Sequence, residues 1–334
     1  MTLSGITIES GDGGGESLAA AMQAVLRWGG LELDEYTLNA FLGLSFLVTV
    51  PRGGRTPTGG ETLARDWNLL PAAGLVGLEL RPLHPPVAAR GLADAEAFAQ
   101  HFLDSYVPLI REALDHGQPV LAWQGWPEDL VRQWGVITAS GREGLGLSGV
   151  VLRGGEELLP LTAPAVQCYV VESVSGVRGP SAVEGARLAV AAAETALDDR
   201  LDASFGVVSG PAAYEAWLRW LQQADAAFSD PQTAAIQVAR LARTVTNARR
   251  LAQGYLELCR DRLDAGVHPA LDETAERLRS VIEALAVRRV ATGNENLVRT
   301  ESGRAVLAED IRAAQRAEQA VADVLGRIRT VLDA

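Results

Sequence analysis

Ser17 is the side chain of this sequence whose type and position best suit chemistry. It stands where a glycine-rich run, Gly11-Asp12-Gly13-Gly14-Gly15-Glu16, meets the apolar spacing of a helix, Leu18 to Trp28. A hydroxyl at a helix start faces unpaired backbone N–H groups and the positive end of the macrodipole. Three roles fit that position. Serine is a favoured N-cap, accepting from the amide two or three residues on. It can also hydrogen-bond a ligand, or attack one if a base takes its proton. The histidines His84, His101, His116 and His268 are scattered. None has a metal-ligand partner at i+4 and no cysteine lies near, so no metal and no cofactor are expected. His84, in a Pro-rich loop, is the base that folding would have to bring to a nucleophilic Ser17.

Three tryptophans add a second candidate feature. Trp123, Trp126 and Trp134 cluster around Gly125-Trp126-Pro127. Tryptophan beside strands lines a binding cleft or packs a core, since it offers a large apolar area and one donor. Trp217 and Trp220 are three apart on one helix face and read as core of the helical half. Gly144-Leu145-Gly146-Leu147-Ser148-Gly149 has dinucleotide-loop spacing, but Val150-Val151-Leu152 follows where a helix is required, so a hairpin turn is expected. The run 54–62 lacks the Gly-Lys of a phosphate loop and carries Glu61, which would repel phosphate.

The elements that position these residues differ between the two halves. Up to about residue 176, short apolar runs alternate with Gly and Pro. Helices are expected over 17–28, 34–42 and 94–116. Strands are expected near 46–50, 77–80, 119–124, 134–140, 149–153 and 165–171. Helices followed by a strand meander make an α+β domain. Over 177–334, Ala, Leu, Arg and Glu dominate. Helices are expected over 181–201, 211–228, 232–264, 269–291 and 303–332, with Pro211 and Pro269 in first turns. The last helix carries one apolar stripe, including Leu307, Ile311, Val321, Leu325 and Ile328, suited to packing in a bundle or to pairing with a second copy as a homo-oligomer.

Composition narrows the function classes. The chain has 334 residues, 48% of them hydrophobic, and a net charge of −12. All its basic residues are arginine, as a GC-rich bacterial genome would give. An acidic chain without a dense basic stripe argues against nucleic acid and against anionic membrane surfaces. No apolar stretch reaches the ~20 residues that span a bilayer, and the first ten residues do not read as a signal peptide. A cytoplasmic location is the expectation. Cys168 and Cys259 read as buried small hydrophobes rather than a disulfide framework.

Against this background the first half resembles the papain-like cysteine peptidase superfamily, in its divergent branch of bacteriocin-processing-type peptidases and the butirosin-pathway acyltransferase. Ser17 to Gly30 is similar to the family's nucleophile helix. His116-Gly117-Gln118-Pro119-Val120-Leu121-Ala122 is similar to the strand after a long helix. Gln133-Trp134-Gly135-Val136-Ile137-Thr138-Ala139-Ser140-Gly141 is similar to the strand that begins with the catalytic histidine. A weaker likeness extends to helical extensions of related bacterial chains, around Gly210 to Trp217 and Ala248 to Ala252. The resemblance implies a papain-like domain with an antiparallel sheet over 1–176 and an α-helical bundle over 177–334. Counting from Gly30, Ser17 holds the nucleophile position; a shift of one residue puts Glu16 there. Gln133 or Trp134 holds the base position, and Glu143 lies near that of the orienting acid. Neither Gln nor Trp takes a proton from serine, and losing a triad member costs orders of magnitude in rate. The resemblance therefore implies a pseudoenzyme. Its former cleft would bind a small molecule or peptide through Glu16, Ser17, Trp123, Trp126, Trp134 and Arg142. The alternatives are a hydrolase or acyltransferase using Ser17, and a scaffold acting through the helical half.

Overall fold

A computed structural model describes residues 2–8, 17–51, 68–83, 95–127, 133–141, 145–152, 157–175, 180–198, 207–222, 230–286 and 294–334. The chain divides into two compact units. The first comprises Met1–Leu38 and Glu61–Pro180, the second Asn39–Gly60 and Ser181–Ala334. The segment 39–60 therefore belongs with the C-terminal helices, although it is read more simply, from sequence, as part of the N-terminal half.

In the first unit, α1 (Ser17–Trp28) buries Leu18, Ala21, Met22, Val25 and Leu26 along one stripe. After α1, Gly30 takes a φ of 85°, which suits glycine at a helix end. Helix α2 (Glu35–Phe41) begins where Asp34 accepts from the Thr37 amide, and it runs across the division between the units. Helix α3 (Leu69–Leu75), capped by Asn68, leads into β2 (Leu78–Pro82).

The single helix expected over 94–116 is in fact α4 (Ala95–His101), a π-helical turn (Phe102–Tyr106) and α5 (Val107–Asp115). Strands β3 (Val120–Trp123), β4 (Trp134–Ser140), β5 (Leu147–Val151), β6 (Leu159–Pro160) and β7 (Gln167–Val174) follow. They join β2 in a six-stranded sheet of order β2-β7-β3-β4-β5-β6, in which every neighbouring pair is antiparallel. The combination of helices with an antiparallel sheet is α+β.

Strand β3 is buried throughout and β4 over all but its last residue, as internal strands require. Val120, Ala122, Ile137, Cys168 and Val170 pack with Phe102, Tyr106 and Ile110 in one core. The alternate residues Leu121, Trp123, Trp134, Val136 and Tyr169 are buried as well. The Gly-x-Gly-x-x-Gly run leads from β4 into β5, so a strand stands where a nucleotide site needs a helix. A side chain at Gly149 would meet the Val136 carbonyl oxygen, so glycine lets the two strands approach.

In the second unit, β1 (Thr49–Pro51) pairs antiparallel with β8 (Val207–Ser209). The helices are α6 (Ala182–Leu197), α7 (Gly210–Gln222), α8 (Pro231–Arg262), α9 (His268–Ala286), the short α10 (Glu295–Arg299) and α11 (Glu301–Asp333). Ser181 and Glu184 form a capping box at α6, and Asp230 caps α8. Val48 and Val50 share one core with Trp217, Trp220, Val245, Leu307 and Ile311. The α11 stripe is thus covered by the chain's own helices, leaving Val306 and Val331 at 39% and 43% exposure. That is a physical obstacle to using the same stripe for a homo-oligomer. No helix among the described residues is long and apolar enough to cross a membrane.

Inside this unit Arg249 is fully buried. Its Nε donates to both oxygens of the buried Glu318 carboxylate, at 2.9 and 3.0 Å. Its Nη1 and Nη2 donate to the Ser45 and Phe46 carbonyls at 2.6 and 3.0 Å. Tyr214 OH donates to Glu318 Oε2 at 2.9 Å. The guanidinium fork suits such a cluster, because its planar donors engage a carboxylate and carbonyls together.

Candidate functional site

Helix α1 packs against β4 within the first unit. The contact brings the start of the helix to the start of the strand. Ser17 Oγ accepts a 3.0 Å hydrogen bond from the Trp134 backbone N–H, across 117 residues of sequence. Ser17 is the first residue of α1. Among the described residues its hydroxyl is engaged by this strand amide, and the bond to a following helix amide that an N-cap makes is not seen. The N-cap expectation is corrected on that point.

Trp123 lies directly across the ladder from Trp134, and the Gln124 N–H donates to the Gln133 carbonyl at 3.1 Å. Ser17, Trp123, Gln133 and Trp134 are therefore brought together by α1, the end of β3 and the start of β4. Trp126 follows three residues after Trp123. It packs in the core with Phe102 and Ile137, and its ring lies where a Cβ at Gly135 would stand. Glu16, Arg142, Glu143 and His84 lie outside the described residues.

The cluster is closed over rather than open. Ser17 and Gln133 are each 5% exposed, Trp123 9%, and Trp126 and Trp134 1% each. Yet among the described residues Gln133 Oε1 and Trp123 Nε1 have no hydrogen-bond partner, nor has Trp126 Nε1 in the core formed with Phe102 and Ile137. Buried polar groups are ordinarily paired, so an orphan acceptor and an orphan donor at the junction of β3 and β4 are unusual. Gln124, a residue without a chemical signature in the sequence, holds a φ of 68°, a left-handed value that non-glycine residues seldom adopt. The Gln124-Gly125 dipeptide is the only signal for it: Gly125 follows at a φ of 85° and its carbonyl accepts from Thr162 and Ala163. Gln167, the polar first residue of an otherwise apolar run, lies opposite Trp123 on β7.

The described histidines lie outside this cluster. His101 Nδ1 lies 3.3 Å from Ser105 Oγ and its ring stands edge-on to Tyr106. His116 is exposed at the end of α5. His268 Nε2 lies 3.1 Å from the Leu263 carbonyl. The cysteines are free and buried, and burial pushes the Cys168 thiol far above its ordinary range and Cys259 up to about 11. Both are therefore poor nucleophiles. The site holds a hydroxyl, a carboxamide and indole N–H groups. These can hydrogen-bond a neutral ligand, and none of them is a general base near neutral pH. No protein-family model matches the chain, and no curated protein matches it.

Proposed function

We propose that the first unit is a papain-like domain without protease chemistry, holding a small molecule or peptide at the junction of α1, β3 and β4. One observation carries the reading: Ser17 Oγ accepts from the Trp134 N–H, beside Gln133. This contact between residues that the resemblance sets at its nucleophile and base positions supports the reading, and neither a serine hydroxyl nor an indole or carboxamide there is a general base. A serine hydroxyl needs an adjacent base to attack, and a carboxamide is not one. The orphan atoms of Gln133 and Trp123 supply an acceptor and a donor for a ligand's own polar groups.

A fluorophosphonate serine probe tests the proposal, read by intact mass and peptide mapping. The expected result is no adduct at Ser17. Stoichiometric labelling at Ser17, lost in Ser17→Ala, would overturn it in favour of a serine hydrolase or acyltransferase.

A further inference from the structure

We propose that the second unit pairs with that of a second copy of this chain, helix α8 against helix α8, antiparallel, on a surface distinct from the α11 stripe. Helical spacing of three and four residues sets Arg240, Arg243, Asn247 and Arg250 on one outward line of α8. Gly254, Glu257 and Asp261 continue the same line. From Pro231 to Leu256 the sequence has no acidic residue, in a chain that holds 42 among 334. Among the described residues, the ion pairs of α8 are made by Arg249, in the core, and by Arg260. Arg240, Arg243 and Arg250 stand exposed without a carboxylate there, and Glu257 and Asp261 stand exposed without a cation. On α11, by contrast, Arg312, Arg316, Arg327 and Arg329 each reach a carboxylate. Ile236, on the same line of α8, is 54% exposed, more than any other large apolar side chain among the described residues.

The order of the charges selects the occupant. The line is positive toward the start of α8 and negative toward its end. A uniformly anionic surface, of lipid or nucleic acid, would attract one part and repel the other, on a chain of net charge −12. A second copy in parallel would set like charges together. Turned antiparallel, each positive part meets a negative one. Such a pair has a two-fold axis, so the contact is isologous and closes at two subunits. With the axis level with Ala252, Arg243 comes opposite Asp261 of the other copy and Asn247 opposite Glu257. In the same register Arg240 meets Asp264, just past the helix end, and Arg250 meets Gly254. Glycine weakens a helix interior, and here it leaves room for the long Arg250 side chain. Exposed ion pairs are individually weak and screened by salt, so the dimer is reversible and salt-sensitive.

Sedimentation equilibrium of the full chain, from micromolar to millimolar concentration, tests the pairing. In about 50 mM salt the mass should rise from that of the monomer to that of the dimer, and in about 0.5 M salt it should stay monomeric. Arg240→Glu with Arg243→Glu should weaken the dimer by about tenfold or more, and Glu257→Arg with Asp261→Arg likewise. The four substitutions together exchange the two charged parts and should restore it. All four side chains are exposed. Should a reversed pair fold poorly, Arg240→Gln with Arg243→Gln gives the milder variant, and it too should weaken the dimer. A chain that stays monomeric at millimolar concentration in low salt overturns the proposal. So does a dimer that the paired reversals leave intact, or that the fourfold variant fails to restore. Binding of a monomer to phosphatidylglycerol vesicles, lost in Arg240→Glu with Arg243→Glu, would assign the line to an anionic surface instead.

Discussion

At Ser17 the hydroxyl oxygen and the Trp134 amide satisfy one another in a buried setting. Removing the hydroxyl leaves a strand N–H without an acceptor, which costs about 1–3 kcal/mol. Ser17→Ala should therefore lower the unfolding free energy by that amount, read from urea denaturation, while far-UV circular dichroism is unchanged. A variant as stable as the parent would mean that the bond contributes nothing. Gln133 permits a sharper prediction. If it occupies the base position, Ser17→Cys with Gln133→His places an imidazole beside a thiol at a helix start, the setting that acidifies cysteine. Iodoacetamide at pH 6 should then alkylate the introduced thiol faster than in Ser17→Cys alone. Equal rates would separate position 133 from position 17 chemically and remove the support for a papain-like site. Gly135 is constrained in a different way. A methyl there would overlap the Trp126 ring and the Val150 carbonyl oxygen, so Gly135→Ala should cost about 1–3 kcal/mol by overpacking, as read by the thermal midpoint.

Elements with a repeating apolar signal were the ones legible in the sequence. Helix α1 and strand β4 run where their spacing sets them, Ser17–Trp28 and Trp134–Ser140. The π turn at 102–106 was not legible, because an inserted residue shifts the helical stripe without ending it. Helix α3 was hidden by Pro71 and Gly74, which read as loop, although Pro71 lies in the first turn, where its missing N–H is no loss. Placement of the 39–60 segment was illegible for a different reason. It depends on pairings of very long range, Thr49 with Ser209 and Arg249 with Ser45 and Phe46, and no local spacing encodes these. The bond between Ser17 and Trp134 is of the same kind: it joins residues 117 apart, and no periodicity encodes it. The Arg249 cluster thus becomes the element-scale test. Removing one partner of a buried pair costs about 3–5 kcal/mol, because the other charge is left uncompensated. Arg249→Met and Glu318→Gln should each destabilise by that much in urea, and the double variant should lose less than their sum. Hydrogen exchange over residues 44–51 should accelerate in Arg249→Met. Unchanged exchange there would mean that the guanidinium does not hold the segment to the helices.

Over the whole molecule, the groups with raised proton affinity lie in the cores of both units. Cys168 and Tyr106 belong to the first unit, Cys259 and Tyr214 to the second. Burial is the largest cause in each, and beside Tyr214 the Glu318 carboxylate adds to it. The folded chain therefore keeps protons that the unfolded chain releases near the ordinary values of 9.0 for cysteine and 10.0 for tyrosine. A pKa raised on folding gives stability that is complete below the unfolded value and is lost as pH climbs toward the folded one. Above pH 9 the unfolded state binds fewer protons, so the derivative of stability with pH is negative. Each such group lowers stability by about 1.4 kcal/mol per pH unit once the unfolded form is ionised. The carboxylates with lowered pKa, Glu184, Asp230 and Glu309, give stability that is lost as pH falls toward their folded values, but they are fully exposed, so solvent screening keeps that acid-side contribution small. Most proteins confound this measurement with lysine. Here every basic residue is arginine, which stays charged through pH 11, so the side chains that titrate between pH 8 and 11 are two cysteines and five tyrosines. Urea denaturation should give a level stability from pH 7 to 8 and a fall that steepens between pH 9 and 11. In Cys168→Ala with Cys259→Ala, the part of that fall beginning near pH 9 should disappear and the part beginning near pH 10 should remain. A profile that the double substitution leaves unchanged would mean that neither thiol keeps its proton on folding.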